Sequence, residues 1–343
     1  MARKGKGKAK KTQHQDAASM TLGIDLGGTK ILAAVVDQQG RILGISKRRT
    51  YAERGVDEVI ARIARTAQEA VANAHLDMTA IRAAGIGAPG VADPHTGVLE
   101  FAPNLPDWTN IPLGTRLGQM LGVPVLVEND VNAGTYGEAT AGVAHDFGSV
   151  VGIFPGTGIG GGIVLDGKLW RGARNAAAEI GHMVVMIDGP QCGCGRRGCI
   201  EALASRTAIE RDIAGEIRGG RSSLVTTLLD IEREPITSGV LARALEEHDP
   251  VITDVVGRAA YHLGVFTASL VNALDPQCIV YGGGLIEACG SFMLPIIRAN
   301  TYRHLIRPVH PDALPILEAA LGDNAVVIGC ALLASASAGA EEV

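Results

Sequence analysis

Two dense apolar runs open the chain, MTLGIDL at 20–26 and ILAAVV at 31–36, on either side of Gly27-Gly28, and a third β-rich run follows at 41–46. Short apolar runs bounded by glycine turns predict a β-meander. Val56, Val59, Ile60, Ile63, Ala67, Ala70 and Val71 then recur at helical spacing over 56–74. Ala83-Ala84-Gly85-Ile86-Gly87 follows as a buried strand ending in Ala88-Pro89-Gly90, so the pattern is a helical crossover with a return strand. A further strand over 123–127 ends in Glu128-Asn129-Asp130, and the small residues after it predict a helix beginning close to Asp130. Polar groups at the carboxyl end of a strand stand where open α/β sheets bind ligands.

The second half repeats this opening. Val150 to Phe154, the turn Pro155-Gly156-Thr157-Gly158 and the run from Ile159 to Leu165 again read as strand, glycine turn, strand, which indicates internal duplication. Helix dominates from about 205 to 275, a strand recurs at 278–281 before Gly282-Gly283-Gly284, and 324–337 makes a closing apolar helix. The expected organisation is a small α/β domain over 20–129, joined by the closing helix, and a larger α/β domain over 130–323, with a ligand cleft between them.

Charge divides the chain unevenly. Residues 1–19 hold six basic side chains (Arg3, Lys4, Lys6, Lys8, Lys10, Lys11) against Asp16, leaving 25 basic and 35 acidic residues in the body, a net −10. An acidic body argues against nucleic acid as its partner. The Lys/Gly/Ala tail has too little apolar surface to fold and reads as a solvated, disordered segment, with a weak tether to an anionic surface as the other reading. No apolar run reaches the roughly 18 residues of a spanning helix, so no membrane is expected and the protein reads as cytoplasmic.

Asp25-Leu26-Gly27-Gly28-Thr29-Lys30 places an acid at a strand end, two glycines at the reversal, then a hydroxyl and a cation. Such a turn presents N–H groups and Thr29 to a polyphosphate while Asp25 faces its magnesium; a plain hairpin turn is the alternative. It is neither the P-loop nor the Rossmann pattern. A second turn, Gly156-Thr157-Gly158, supplies an opposing jaw.

With DLGGTK at 25–30, PNLPDW at 103–108, ENDVNA at 128–133, GTGIGGG at 156–162, AEIGH at 178–182, CGCGRRGC at 192–199 followed by Glu201, and GGG at 282–284, the chain resembles the ROK family of bacterial sugar kinases and sugar-responsive repressors. The resemblance runs from about residue 20 to about 335, with no motif position broken. It implies an actin-like, ribonuclease-H-like α/β fold duplicated in two domains that close on sugar and ATP. It also implies a kinase closest to bacterial ATP-dependent glucokinase, with Gly283 and Gly284 beside the nucleotide.

Phosphoryl transfer to an alcohol asks the protein to align the hydroxyl, neutralise the phosphoryl oxygens and accept a proton. Asp130 is the candidate base and matches the family's catalytic Asp; a helix N-cap is its ordinary alternative. Sugar hydroxyls both donate and accept, which suits amides and carboxylates. By resemblance Asn104 and Asn129 hold the far hydroxyls, while Glu179, His182 and Glu201 approach the end bearing C1 and C2. Gly87 and Gly90 let their loop lie close to the sugar, and Asn104, between two prolines, has a turn role as its alternative.

His182, Cys192, Cys194 and Cys199 give one imidazole and three thiolates within eighteen residues, a composition that suits closed, structural tetrahedral zinc. Disulfides or unliganded core thiols are the alternatives, disfavoured in a reducing cytoplasm and by the closeness of Cys192 to Cys194. His182 is expected to bind metal through one ring nitrogen and meet the sugar through the other, so metal loss should weaken sugar affinity. Cys278, Cys289 and Cys330 read as buried small hydrophobes.

Glucose, mannose, fructose, allose, N-acetylglucosamine and N-acetylmannosamine kinases share most of these motifs, and polyphosphate is conceivable as donor. A sugar-sensing regulator is the non-enzymatic alternative, but such repressors carry a helix-turn-helix domain before the first glycine turn, and only 24 residues precede Asp25. Family resemblance points to a homodimer or homotetramer.

Overall fold

A computed structural model describes residues 20–229 and 233–340. The basic tail lies outside the described residues. The chain begins β1 (Met20–Leu26), β2 (Lys30–Val36), β3 (Ile42–Arg49), α1 (Val56–Asn73) and β4 (Ile81–Ala88). Three short strands, β5 (Val91–Asp93), β6 (Val98–Phe101) and β7 (Thr109–Ile111), precede α2 (Leu113–Leu121) and β8 (Val125–Asn129). Next come α3 (Asp130–Thr140), β9 (Val150–Pro155), β10 (Ile159–Leu165), β11 (Lys168–Leu169), α4 (Glu201–Ala204), α5 (Arg206–Arg218), α6 (Val225–Leu228), α7 (Ser238–Glu246) and α8 (Pro250–Leu274). The chain closes with β12 (Cys278–Tyr281), α9 (Gly284–His304), β13 (Ile316–Glu318) and α10 (Ala325–Ala340).

Two five-stranded sheets share one plan. The first has the order β3-β2-β1-β4-β8 and the second β11-β10-β9-β12-β13. In each, the opening three strands form an antiparallel meander and the last two join in parallel. The repeated strand, glycine turn, strand pattern is therefore the trace of a whole repeated sheet, as an actin-like duplication requires. The third sheet, β5-β6-β7, was not foreseen, because its strands are too short to show a period. The strand expected from 123 begins two residues later, since Pro124 has no N–H to pair and offers only its carbonyl, to Ala84.

Each sheet carries its own core. Val59, Ile60, Ile63 and Ala67 of α1 are buried against the first, and α8 and α9 bury Val255, Leu263, Met293 and Ile297 in the second. Helix α10 returns to the first sheet. A Cβ at Gly23 or Gly85 would collide with the carbonyl of Val327 or Cys330, so the helix backbone lies directly on β1 and β4. The segment Gly322–Gly339 is long and apolar enough to span a bilayer, which corrects the expectation that no stretch is. Its apolarity has a local cause: Val327, Cys330 and Ala331 are buried where the helix meets the sheet.

Candidate active site

The strand-to-helix junction between β8 and α3 sets the chemistry. Asn129 is the N-cap: its Oδ1 accepts from the N–H groups of Val131 and Asn132 at 2.9 and 3.0 Å, and its Nδ2 donates to the Gly90 carbonyl at 3.0 Å. The capping role therefore falls to Asn129, and Asp130 occupies the first helical position with only Oδ1 engaged, by its neighbour Val131 at 2.9 Å. Asp130 is partly accessible but walled in by protein, and this burial, with Glu179 nearby, raises its carboxyl above the ordinary range against the pull of the Val131 N–H.

Asp130 faces a cavity of about 310 Å3 shared with Asp25, Phe154, Gly283, Gly284 and Asp323. Asp25, at the end of β1, is pushed up to about 7 by burial, then by Asp130, with Lys30 opposing and Asp323 adding to the rise. The first glycine turn closes through Gly27 N–H to the Lys30 carbonyl at 2.9 Å. Thr29 is exposed at its tip. Lys30 is held by Asp323 at 2.7 Å, a partner contributed by the turn before α10 that no motif signalled. Gly283 lies at φ +82°, which only glycine adopts easily, and caps α9, whose first residue, Gly284, lines the same cavity.

Gly90, Asn129 and Glu179 line a second, smaller cavity, and Val131 borders both. Asn132 also lines it. This residue is buried, gives Nδ2 to Glu128 Oε1 at 3.2 Å, and leaves Oδ1 without a donor among the described residues. Glu128 is buried as well and binds Arg171 Nε at 2.6 Å, tying β8 to the segment after β11. Three other expected sugar contacts are placed differently. Asn104 is exposed, with its backbone oxygen against Gly28. Glu201 Oε2 accepts the Ile159 N–H at 3.0 Å, and His182 stands with the cysteines. Gly87 gives β4 close approach to α3 and α10, where an added Cβ would meet Val326.

The second turn is braced by α5. Arg206 donates Nη2 to Thr157 Oγ1 at 3.0 Å and its N–H to the Gly156 carbonyl at 2.8 Å, while Thr207 Oγ1 donates to the Thr157 carbonyl. Gly158 lies against Glu201. Arg206 had no sequence signal, because the motif set stops at Glu201.

His182, Cys192, Cys194 and Cys199 converge with their ligand atoms within 4.8 Å of one another. A tetrahedral zinc with Zn–S bonds of about 2.3 Å separates two sulfurs by about 3.8 Å. Cys194 and Cys199 Sγ are 3.8 Å apart, and Cys192 Sγ is 3.7 Å from His182 Nδ1. The four groups fit that ion in geometry; the Arg196 N–H brings Cys194 down to about 7, while burial pushes Cys192 and Cys199 up, so a metal would have to displace the protons of those two. Glu201 Oε1, 3.3 Å from Cys192 Sγ, joins this cluster to the second glycine turn.

Comparison with known proteins identifies the family. Residues 21–337 match the ROK family. The chain is 34% identical over 310 residues to a glucokinase of Thermotoga maritima, covering 90% of this chain and 95% of that one. It is 32% identical over 317 residues to an N-acetylmannosamine kinase of Escherichia coli O157:H7, covering 92% and 98%. A crystal structure of a ROK family glucokinase from Streptomyces griseus, in complex with glucose and AMPPNP, superposes with a TM-score of 0.76 at 38% identity, covering 92% of this chain and 99% of that one. With two sheets of one plan, paired glycine turns, a cysteine–histidine cluster and these similarities end to end, the chain belongs to the ROK family.

Proposed function

We propose that this sugar kinase transfers the γ-phosphoryl group of ATP to a hexose, with glucose as the leading acceptor and glucose 6-phosphate as product. The observation that carries this reading is the meeting of two cavities at residues 129–131: one lined by Gly90, Asn129 and Glu179, the other by Asp25, Asp130 and Gly283. A sugar in the first presents a hydroxyl to a phosphate chain in the second, beside the Asp130 carboxylate.

In this reading Asp130 takes the hydroxyl proton as the sugar oxygen bonds to the γ-phosphorus and the bond to the β-phosphate oxygen breaks, releasing ADP. Thr29 and the N–H group of Gly28 on one side, in a turn that the Gly27 N–H closes onto Lys30, with Thr157 and Gly158 on the other, hold the phosphates, and Gly283 and Gly284 flank the adenosine end. Asp25 would hold magnesium, which neutralises phosphate oxygens when bound with ATP. His182, Cys192, Cys194 and Cys199 would hold a structural zinc that fixes the Glu201 loop. Asn104, Glu201 and the free face of His182 complete the sugar site when the lobes close.

The run Met183–Ile187 exposes five large apolar side chains, Ile187 to 87%, and supports an interface between copies in a homodimer or homotetramer. A thiolate-held zinc at this cluster would suit the reducing cytoplasm. Similarity to the N-acetylmannosamine kinase supports an acetamido sugar as the second reading. A coupled ADP-release assay with ATP and magnesium against glucose, mannose, fructose, N-acetylglucosamine and N-acetylmannosamine decides: highest kcat/KM on glucose supports the first, on an acetamido sugar the second, and no turnover on any removes both.

A further inference from the structure

We infer that Arg49, Arg54 and Arg62 form a binding site for a multiply charged, phosphate-bearing anion on the outer side of the first glycine turn, separate from the nucleotide cavity. The three guanidinium carbons lie 5.2, 4.4 and 4.7 Å from the centroid of one ring, that of Tyr51. An aromatic face attracts cations, but three full charges around one ring also repel one another. Elsewhere in this lobe four arginines sit on carboxylates, Arg41 on Asp37, Arg48 on Glu69, Arg65 on Glu58 and Arg116 on Asp57, while Arg82, among the described residues, is a lone head buried against the closing helix. None of the three around Tyr51 has an acidic partner among the described residues, although Glu53 lies in the same loop. In a chain of net charge −5 this is a concentrated and uncompensated positive patch.

The patch is built rather than loose. Tyr51 holds φ +53°, ψ +56°, a left-handed conformation unusual for an aromatic residue, and this aims its ring back at the arginines. Arg62 reaches from α1 to donate Nε and Nη2 to the Arg49 carbonyl at 3.0 and 2.9 Å, which fixes its head and leaves its third nitrogen free. Thr50, fully buried, donates N–H to the Thr29 carbonyl and Oγ1 to the Gly27 carbonyl at 2.9 and 2.6 Å. The ring and its arginines are thus fastened to the back of the first glycine turn, while none of them lines the cavity holding Asp25 and Asp130. Planar guanidinium forks that converge without carboxylates match phosphoryl oxygens, and three of them call for an anion carrying several charges. The naming of the adjacent turn as a nucleotide jaw rests on the proposed function; the anion site does not.

The test is calorimetric titration of inorganic tripolyphosphate, with inorganic phosphate as the singly phosphorylated control, into the whole protein saturated with AMPPNP so that the cleft is filled. Binding should persist with AMPPNP present, exceed that of phosphate, weaken as salt rises, and fall at least tenfold in the double variant Arg54→Ala/Arg62→Ala. The single variant Arg54→Ala, at an exposed position, should show an intermediate loss and guards against misfolding of the double variant. KM for ATP and kcat should stay at their original values in both. Loss of binding once AMPPNP is present, equal affinity in variant and original, or a rise in KM for ATP parallel to the loss would each overturn the site. Absence of turnover in the unmodified protein would sink the kinase reading and leave these titrations unaffected.

Discussion

Glu201 receives the Ile159 N–H on one carboxylate oxygen at 3.0 Å and faces Cys192 Sγ with the other at 3.3 Å. The cysteine–histidine cluster is thereby linked to the second glycine turn. If the cluster holds the proposed zinc, removing it should raise KM for ATP as well as for sugar, and Glu201→Gln with metal retained should reproduce part of both effects. Steady-state kinetics before and after chelation, with metal content measured, check this. A chelated sample whose two KM values are unchanged removes the link.

Asp130→Asn keeps the size of the side chain and takes away its basicity. The expected loss in kcat is about 100-fold or more, within the usual range for a general base. Sugar affinity, measured by titration without nucleotide, should change little, because Asn129 and Glu179 line the smaller cavity proposed for the sugar.

Asp25 gives the site a pH dependence whose sign is fixed. Its carboxyl titrates near 7 in the fold, against 3.8 as the ordinary value. Between those values the folded protein binds more protons than the unfolded chain, so this group's contribution to stability is full below 3.8 and is lost as pH rises through about 7. In the role proposed for Asp25, magnesium–nucleotide needs the ionised form. Binding should tighten from pH 6 to pH 8 and release protons to the buffer near neutrality, a heat detectable by calorimetry in buffers of different ionisation enthalpy. Asp25→Asn should abolish both the proton release and the pH dependence.

Glu128 is buried on Arg171, whose Nε is 2.6 Å away. Arg171→Ala leaves that carboxylate without its cation and should destabilise the protein by about 3 kcal/mol, as measured for broken buried pairs. Denaturant unfolding measures it. An Arg171→Lys variant restoring only part of the loss would show that the planar head matters as well as the charge.

Ile187→Glu places a charge in the exposed apolar run beside the cysteine–histidine cluster. If that run joins copies, sedimentation should show a smaller particle with unchanged secondary structure; an unaltered particle size places the interface elsewhere.

Much of this was legible because glycine and apolar periodicity are local signals. The runs around Gly27-Gly28 and Gly156-Thr157-Gly158 announced two meanders, and both sheets follow. The cluster at 182–199 was legible because its ligands lie close in sequence and their atoms meet. What stayed hidden depends on long-range contact. Asp323 meets Lys30 only because the end of the chain returns, and Arg206 reaches Thr157 only through the packing of α5. The sequence offers Asp130 as the cap, and only the backbone shows that its neighbour Asn129 takes that place. Tyr51 offers no periodicity at all; its left-handed backbone and its three arginines belong to a loop.

Helix α10 lies on β1 and β4 through Gly23 and Gly85, so residues from opposite ends of the chain share one interior surface. During vectorial synthesis the first sheet leaves the ribosome with that face bare, and nothing in the intervening chain replaces the closing helix. The second half holds its sheet and the helices of its main core in one continuous stretch, and of the closing helix's buried residues only Cys330 and Leu333 join its other face. The later-made lobe can mature first, and the nascent amino-terminal strands stay a client for chaperones until the last turns of helix emerge.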